Sequence, residues 1–142
     1  MYSRILLTVD LNEDASWKKA LPTAVEYAKA FGADLHVATV LPDFGMPMVR
    51  GFFPDDFQEK AQTDVEDKLA AFCDKHIPSE IGAHSVVRVG SVYEEILKLA
   101  DETNADLIVM ASHRPELKDY LLGPNAARVV RHANCSVLVV RE

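Results

Sequence analysis

Apolar residues along this chain fall into two alternating patterns, short unbroken runs and longer stretches of helical period. The runs Ile5 to Val9, Leu35 to Leu41, Ser85 to Val89, Leu107 to Met110 and Ser136 to Val140 are rich in Val, Ile and Leu and read as strands. Their apolar character is nearly continuous, as expected of strands covered on both faces. Between the first two, Trp17, Ala20, Leu21, Ala24, Val25, Ala28 and Phe31 recur at steps of three and one. That spacing predicts one apolar stripe on a helix, which Gly32 ends. Phe57, Ala61, Val65, Leu69, Phe72 and Cys73 make a second stripe between about Asp55 and Lys75, with Pro78 as a stop signal. A third helix is expected to start at Ser91, where Ser91 and Glu94 have the spacing of a capping box, and to bury Val92, Ile96, Leu99 and Ala100. The last, about Asn125 to His132, presents Ala126, Val129, Val130 and Ala133.

Five strands joined by four helix-containing connections require a mostly parallel sheet with right-handed crossovers. The fold class is therefore a doubly wound α/β domain. Ligands of such folds sit beyond the carboxyl ends of the strands, where the strand order reverses. Those positions are Asp10, the stretch after Leu41, Gly90 and the stretch from Ala111 to Gly123.

Composition narrows the class. The 142 residues, 49% of them hydrophobic, suffice for one ordinary domain with its own core. Fifteen Lys plus Arg against 22 Asp plus Glu leave a net charge of -7, which opposes attraction to nucleic acid or to an anionic membrane surface. Cys73 and Cys135 form neither a CxxC pair nor a dense framework, so a reducing compartment is expected. The apolar run before Asp10 is too short for a signal-peptide core or a membrane span. Together these readings predict a soluble cytoplasmic protein.

Two segments stand apart. Pro42 to Pro54, "PDFGMPMVRGFFP", is apolar for a connection beside the expected ligand edge. It reads either as a lid or as a segment packed on the body of the domain or a partner subunit. The other, "ASHRPELKDYLLGPNAA" from Ala111 to Ala127, places Ser112, His113 and Arg114 after a strand and Gly123 before a helix. A helix start supplies free N–H donors and partial positive charge, the physical requirement for phosphate. Neither GxGxxG nor GxxxxGK[ST] occurs, no histidines sit at metal-ligand spacing, and no GxSxG elbow accompanies Ser112 and His113.

The stretches "ILLTVD", "VATVLPD" and "VRVGSVYEEILKLADETNADLIVMASHRPELKDYLLGPNAARVVRHANCSVLVVRE" resemble the universal stress protein family across the whole chain. The likeness is strongest to its small bacterial members carrying "SHRP". It implies a Rossmann-like, five-stranded parallel sheet of order 3-2-1-4-5, an adenine nucleotide (ATP or AMP, with or without Mg), and a homodimer formed through the edge strand Cys135 to Val140. By the same resemblance Thr8, Val9 and Asp10 line adenine and ribose, and the backbone of Val40 pairs with the adenine edge. Ala111, Ser112, His113, Arg114, Gly123, Pro124 and Asn125 correspond to the phosphate loop.

Members of this family that bind ATP carry G-x2-G-x9-G-[S/T]. Here Ala111 and Arg114 replace the first two glycines, the loop to Gly123 is one residue shorter, and Pro124 replaces the Ser or Thr. Proline is tolerated in the first turn of a helix, so Gly123-Pro124-Asn125 also reads as a plain helix start. Three functions stay open at this level. One is a regulatory nucleotide-binding protein with at most slow ATP hydrolysis. Another is a nucleotide-independent dimeric interaction protein with a degenerate loop. The third is an ATP-dependent enzyme or hydrolase using Ser112, His113 or Arg114.

Overall fold

The computed structural model describes residues 1–41, 57–112 and 124–141. Strands β1 (Arg4–Thr8), β2 (Asp34–Leu41), β3 (His84–Val89), β4 (Leu107–Ser112) and β5 (Ser136–Arg141) alternate with helices α1 (Ala20–Phe31), α2 (Phe57–His76), α3 (Val92–Thr103) and α4 (Pro124–His132). All strand pairs are parallel, in the order β3-β2-β1-β4-β5. The chain winds outward from β1 through β2 to β3, then returns to lay β4 on the other side of β1. The reversal of strand order therefore lies between β1 and β4.

Strand alternation sorts the apolar runs onto two cores. Ile5, Leu7, Leu35, Val37 and Val109 face α1 and α2, where Leu21, Ala24, Val25, Ala28, Leu69 and Cys73 close over them. Leu6, Ala38, Ile108 and Met110 face the opposite layer, against Ile96, Leu99 and Ala100 of α3 and Ala126 and Val129 of α4. Ile5, Leu6 and Leu7 are fully buried in succession, because the central strand is covered on both sides. Burying each such side chain contributes about 1.5–3 kcal/mol, and the alternation fixes the register.

Two expectations change at helix starts. Trp17 lies outside α1: a 3-10 turn, Asp14–Ser16, precedes it, and Trp17 packs edge-on against Phe72 of α2, with ring centroids 4.9 Å apart. Ser91 does cap α3 with extended backbone, but no side-chain capping bond forms. Its carbonyl accepts the Glu95 N–H at 2.9 Å, while Glu94 accepts from the Tyr93 hydroxyl. At its other end α1 stops on Gly32, whose left-handed backbone (φ 63) lets its N–H reach the Ala28 carbonyl.

Candidate functional site

The carboxyl ends of β1, β2 and β4 open onto one edge of the sheet. Thr8 closes β1, and Val9, buried, continues it by donating its N–H to the Ala38 carbonyl at 2.9 Å. Asp10 then turns the chain away. Its N–H donates to Ser16 Oγ at 2.8 Å. The Ser16 hydroxyl lies 3.0 Å from the Asp10 carbonyl and 2.7 Å from that of Glu13. Asp10 Oδ1 accepts the Asn12 N–H at 3.0 Å, a local turn of the kind Asp favours. One carboxylate oxygen is thus engaged in shaping the loop, and the side chain remains exposed at the edge.

Val40 lies near the end of β2, half-buried, with its side chain packed on the α3–α4 layer. In a parallel sheet the N–H and C=O of one residue point to the same neighbouring strand, and successive residues alternate. The Ala38 carbonyl bonds Val9 and the Leu41 carbonyl accepts from Gly90, so the Val40 main chain points toward the β1 side. The register of β1 on β2 ends at Thr8 opposite Ala38. A donor and an acceptor at Val40 are therefore directed past the end of β1, at the reversal of strand order.

Across that gap Ala111 and Ser112, both half-buried, complete β4 and pair in register with Val140 and Arg141 of β5. Helix α4 joins the carboxyl end of β4 to the amino end of β5, which turns its N-terminus to the same edge. Pro124 is its first residue, and the first N–H the helix can offer is that of Asn125, itself half-buried. His113, Arg114 and Gly123 lie outside the described residues, as does the apolar segment 42–54. The residue types present suit a nucleotide: a main-chain donor and acceptor for a base edge, a carboxylate for hydroxyls, and helix-start N–H groups for phosphate.

Two residues at this edge carried little signal in the sequence. Gly90, after β3, has φ 144, and a Cβ there would lie 3.2 Å from Glu95 Cγ. Glu95 stands against it from the first turn of α3 and pairs with Lys98 at 3.2 Å. The position of Gly90 was legible as a strand end, whereas its contact with Glu95 depends on how α3 docks. A cavity of about 470 Å³ lies elsewhere, lined by Leu97, Asp101, Asn104, Ile108, His132 and Cys135 among others. It opens at the amino ends of β4 and β5, away from the edge where the strand order reverses, and the topology favours the carboxyl edge as the ligand site.

The thiols carry no sign of activation. Burial, then Asp74, pushes Cys73 up to about 11, and burial, Asp106 and Asp101 raise Cys135. Both are free. Among the described residues no group of three or more His, Cys, Asp or Glu could hold a metal ion, and no helix is long and apolar enough to cross a membrane.

A parallel five-stranded sheet with helices on both layers and polar groups gathered at the reversal of strand order defines the Rossmann-like class. Residues 1–141 match the family model of the universal stress protein family, and the chain belongs to that family. It is 38% identical over 145 aligned residues to Universal stress protein G of Shigella flexneri, covering 99% of this chain and 100% of that one. The corresponding protein of Salmonella typhimurium is 36% identical over the same shares. Among solved structures, universal stress protein UspA from Lactobacillus plantarum superposes with a TM-score of 0.71 at 24% identity, covering 99% and 98% of the two chains. A universal stress protein in complex with cAMP has a TM-score of 0.69 at 23% identity over 98% and 97%. One from Archaeoglobus fulgidus in complex with dAMP has 0.61 at 22% over 97% of each.

Proposed function

We propose that this protein binds an adenine nucleotide, ATP or AMP, between the ends of β1 and β4, and acts through binding and regulation rather than as a strong catalyst. The observation that carries the reading is the Val40 main chain, whose N–H and C=O point past the end of β1 into the same edge as Asp10 and the start of α4. Thr8, Val9 and Asp10 take the base and ribose side, while Ala111, Ser112, His113, Arg114, Gly123, Pro124 and Asn125 take the phosphate side. The cAMP and dAMP complexes of proteins with this fold support the choice of an adenine ligand. Mg, if it accompanies ATP, is held through the phosphates. The two unpaired thiols fit a cytoplasmic location. The test is equilibrium titration of purified protein with labelled ATP and AMP. A saturable signal at or below millimolar nucleotide is expected, and its absence defeats the proposal.

Pro124 favours a second reading, in which the loop no longer grips phosphate and the protein works as a nucleotide-independent dimer. Mass spectrometry of ligand released from freshly purified protein separates the two. Adenine nucleotide in the released fraction supports the first, and a ligand-free protein with no titratable site supports the second.

A further inference from the structure

On the α3–α4 face of the sheet, two imidazoles meet across neighbouring strands. His36 of β2 and His84 of β3 are register partners, and their ring centroids are 5.0 Å apart with planes tilted by 31°. His36 alternates with Ala38, which is buried against α3, so it sits on that face with fully buried Leu6 as its register partner on β1. His84 is exposed on the edge strand. Among the described residues no third ligand joins them. Two imidazoles this close repel one another once both are protonated.

We propose that His36 and His84 form an acid-released latch between β2 and the edge strand β3. Neutral rings stack and hold the amino-terminal ends of the two strands together. Charging one ring opposes charging the other, and charging both makes the two strand ends repel. Burial first, then His84, with Arg4 of β1 adding to them and Asp34 of the same strand opposing, lowers His36 below the ordinary imidazole value of 6.5. From α3, packed over this face, Glu102 is held by Arg88 of β3 and Glu95 by Lys98.

The sign follows from the direction of the shift. A base whose folded value is lowered is bound more tightly by protons in the unfolded chain, so its contribution to stability is complete above 6.5. That contribution is lost as pH falls from there toward the lower folded value. At the far end of the same strand pair the Gly90 N–H holds the Leu41 carbonyl at 2.9 Å. Acid-driven opening is expected to begin at the His84 end, where the two imidazoles meet.

The experiment is NMR on the full chain. Imidazole C–H resonances are titrated in the natural protein and in His84→Gln. His36 is expected to titrate below 6.5 and to move upward when His84 is replaced; an unchanged His36 midpoint overturns the latch. Amide protection is then compared at pH 7.5 and pH 5 with intrinsic exchange divided out. In the natural protein β3 amides are expected to lose protection by roughly fivefold or more relative to those of β4. The double variant His36→Gln/His84→Gln is expected to lose far less. Equal losses in both proteins, or losses spread evenly over the sheet, also overturn it.

Discussion

Pro124 takes one N–H away from the start of α4, at the point where the phosphate groups of a bound nucleotide would need it. Replacing it with Ser restores both that donor and a hydroxyl. The expected outcome for Pro124→Ser is a nucleotide affinity about ten- to a hundredfold higher, from one regained charge-assisted bond of roughly 1.5–3 kcal/mol. Gly123→Asp adds a negative charge immediately before α4 in the chain and, under the proposed binding mode, is expected to abolish binding in the same titration. Gly90 offers a test of stability instead of affinity. Its φ of 144 is strained for an L side chain, and the added Cβ would crowd Glu95. Gly90→Ala should therefore cost about 1–3 kcal/mol in urea denaturation.

The elements differ in how openly the chain announced them. All five strands were legible; in the central one Ile5, Leu6 and Leu7 are apolar without interruption, as a strand buried on both faces requires. Helix starts were less so. Trp17 shares the periodic stripe of α1, yet it follows the 3-10 turn Asp14–Ser16, whose Ser16 hydroxyl lies against the Asp10 and Glu13 carbonyls, and the indole is used against Phe72 instead. The Ser91 and Glu94 spacing suggested reciprocal capping, but Tyr93 engages Glu94. With no side-chain bond to lose, Ser91→Ala should change stability by less than about 0.5 kcal/mol, below the roughly 1 kcal/mol of a working cap. At the candidate site, the place of Asp10 just past β1 followed from the rule that ligands gather beyond strand ends, whereas Ala111 and Ser112, read as the start of a loop, are the last residues of β4. The outward aim of the Val40 main chain did not follow from that rule, since it depends on which residue of β2 bonds which neighbour.

For the whole molecule, the sheet has two edges of different character. β3 carries Arg88, ion-paired to Glu102, and a charged edge discourages further pairing. β5 carries Val137, Leu138 and Val139, each half-buried, and Val130 on the adjoining α4 is 46% exposed. That apolar edge suits a second copy, so sedimentation at micromolar concentration is expected to give twice the chain mass. A monomeric mass would count against pairing through β5. With a net charge of -7, association between copies should strengthen with added salt wherever repulsion opposes it.

The Val40 backbone has one more consequence, for mutational tolerance. A recognition surface made of peptide groups is indifferent to the identity of the residue that bears it, so exchanging Val40 for Ile or Thr alters packing on α3 while the donor and acceptor stay in place. Only proline deletes the donor. Under the proposed binding mode, a base contact at Val40 would outlast extensive drift in side chains, whereas the helix start at Pro124 changes with a single codon.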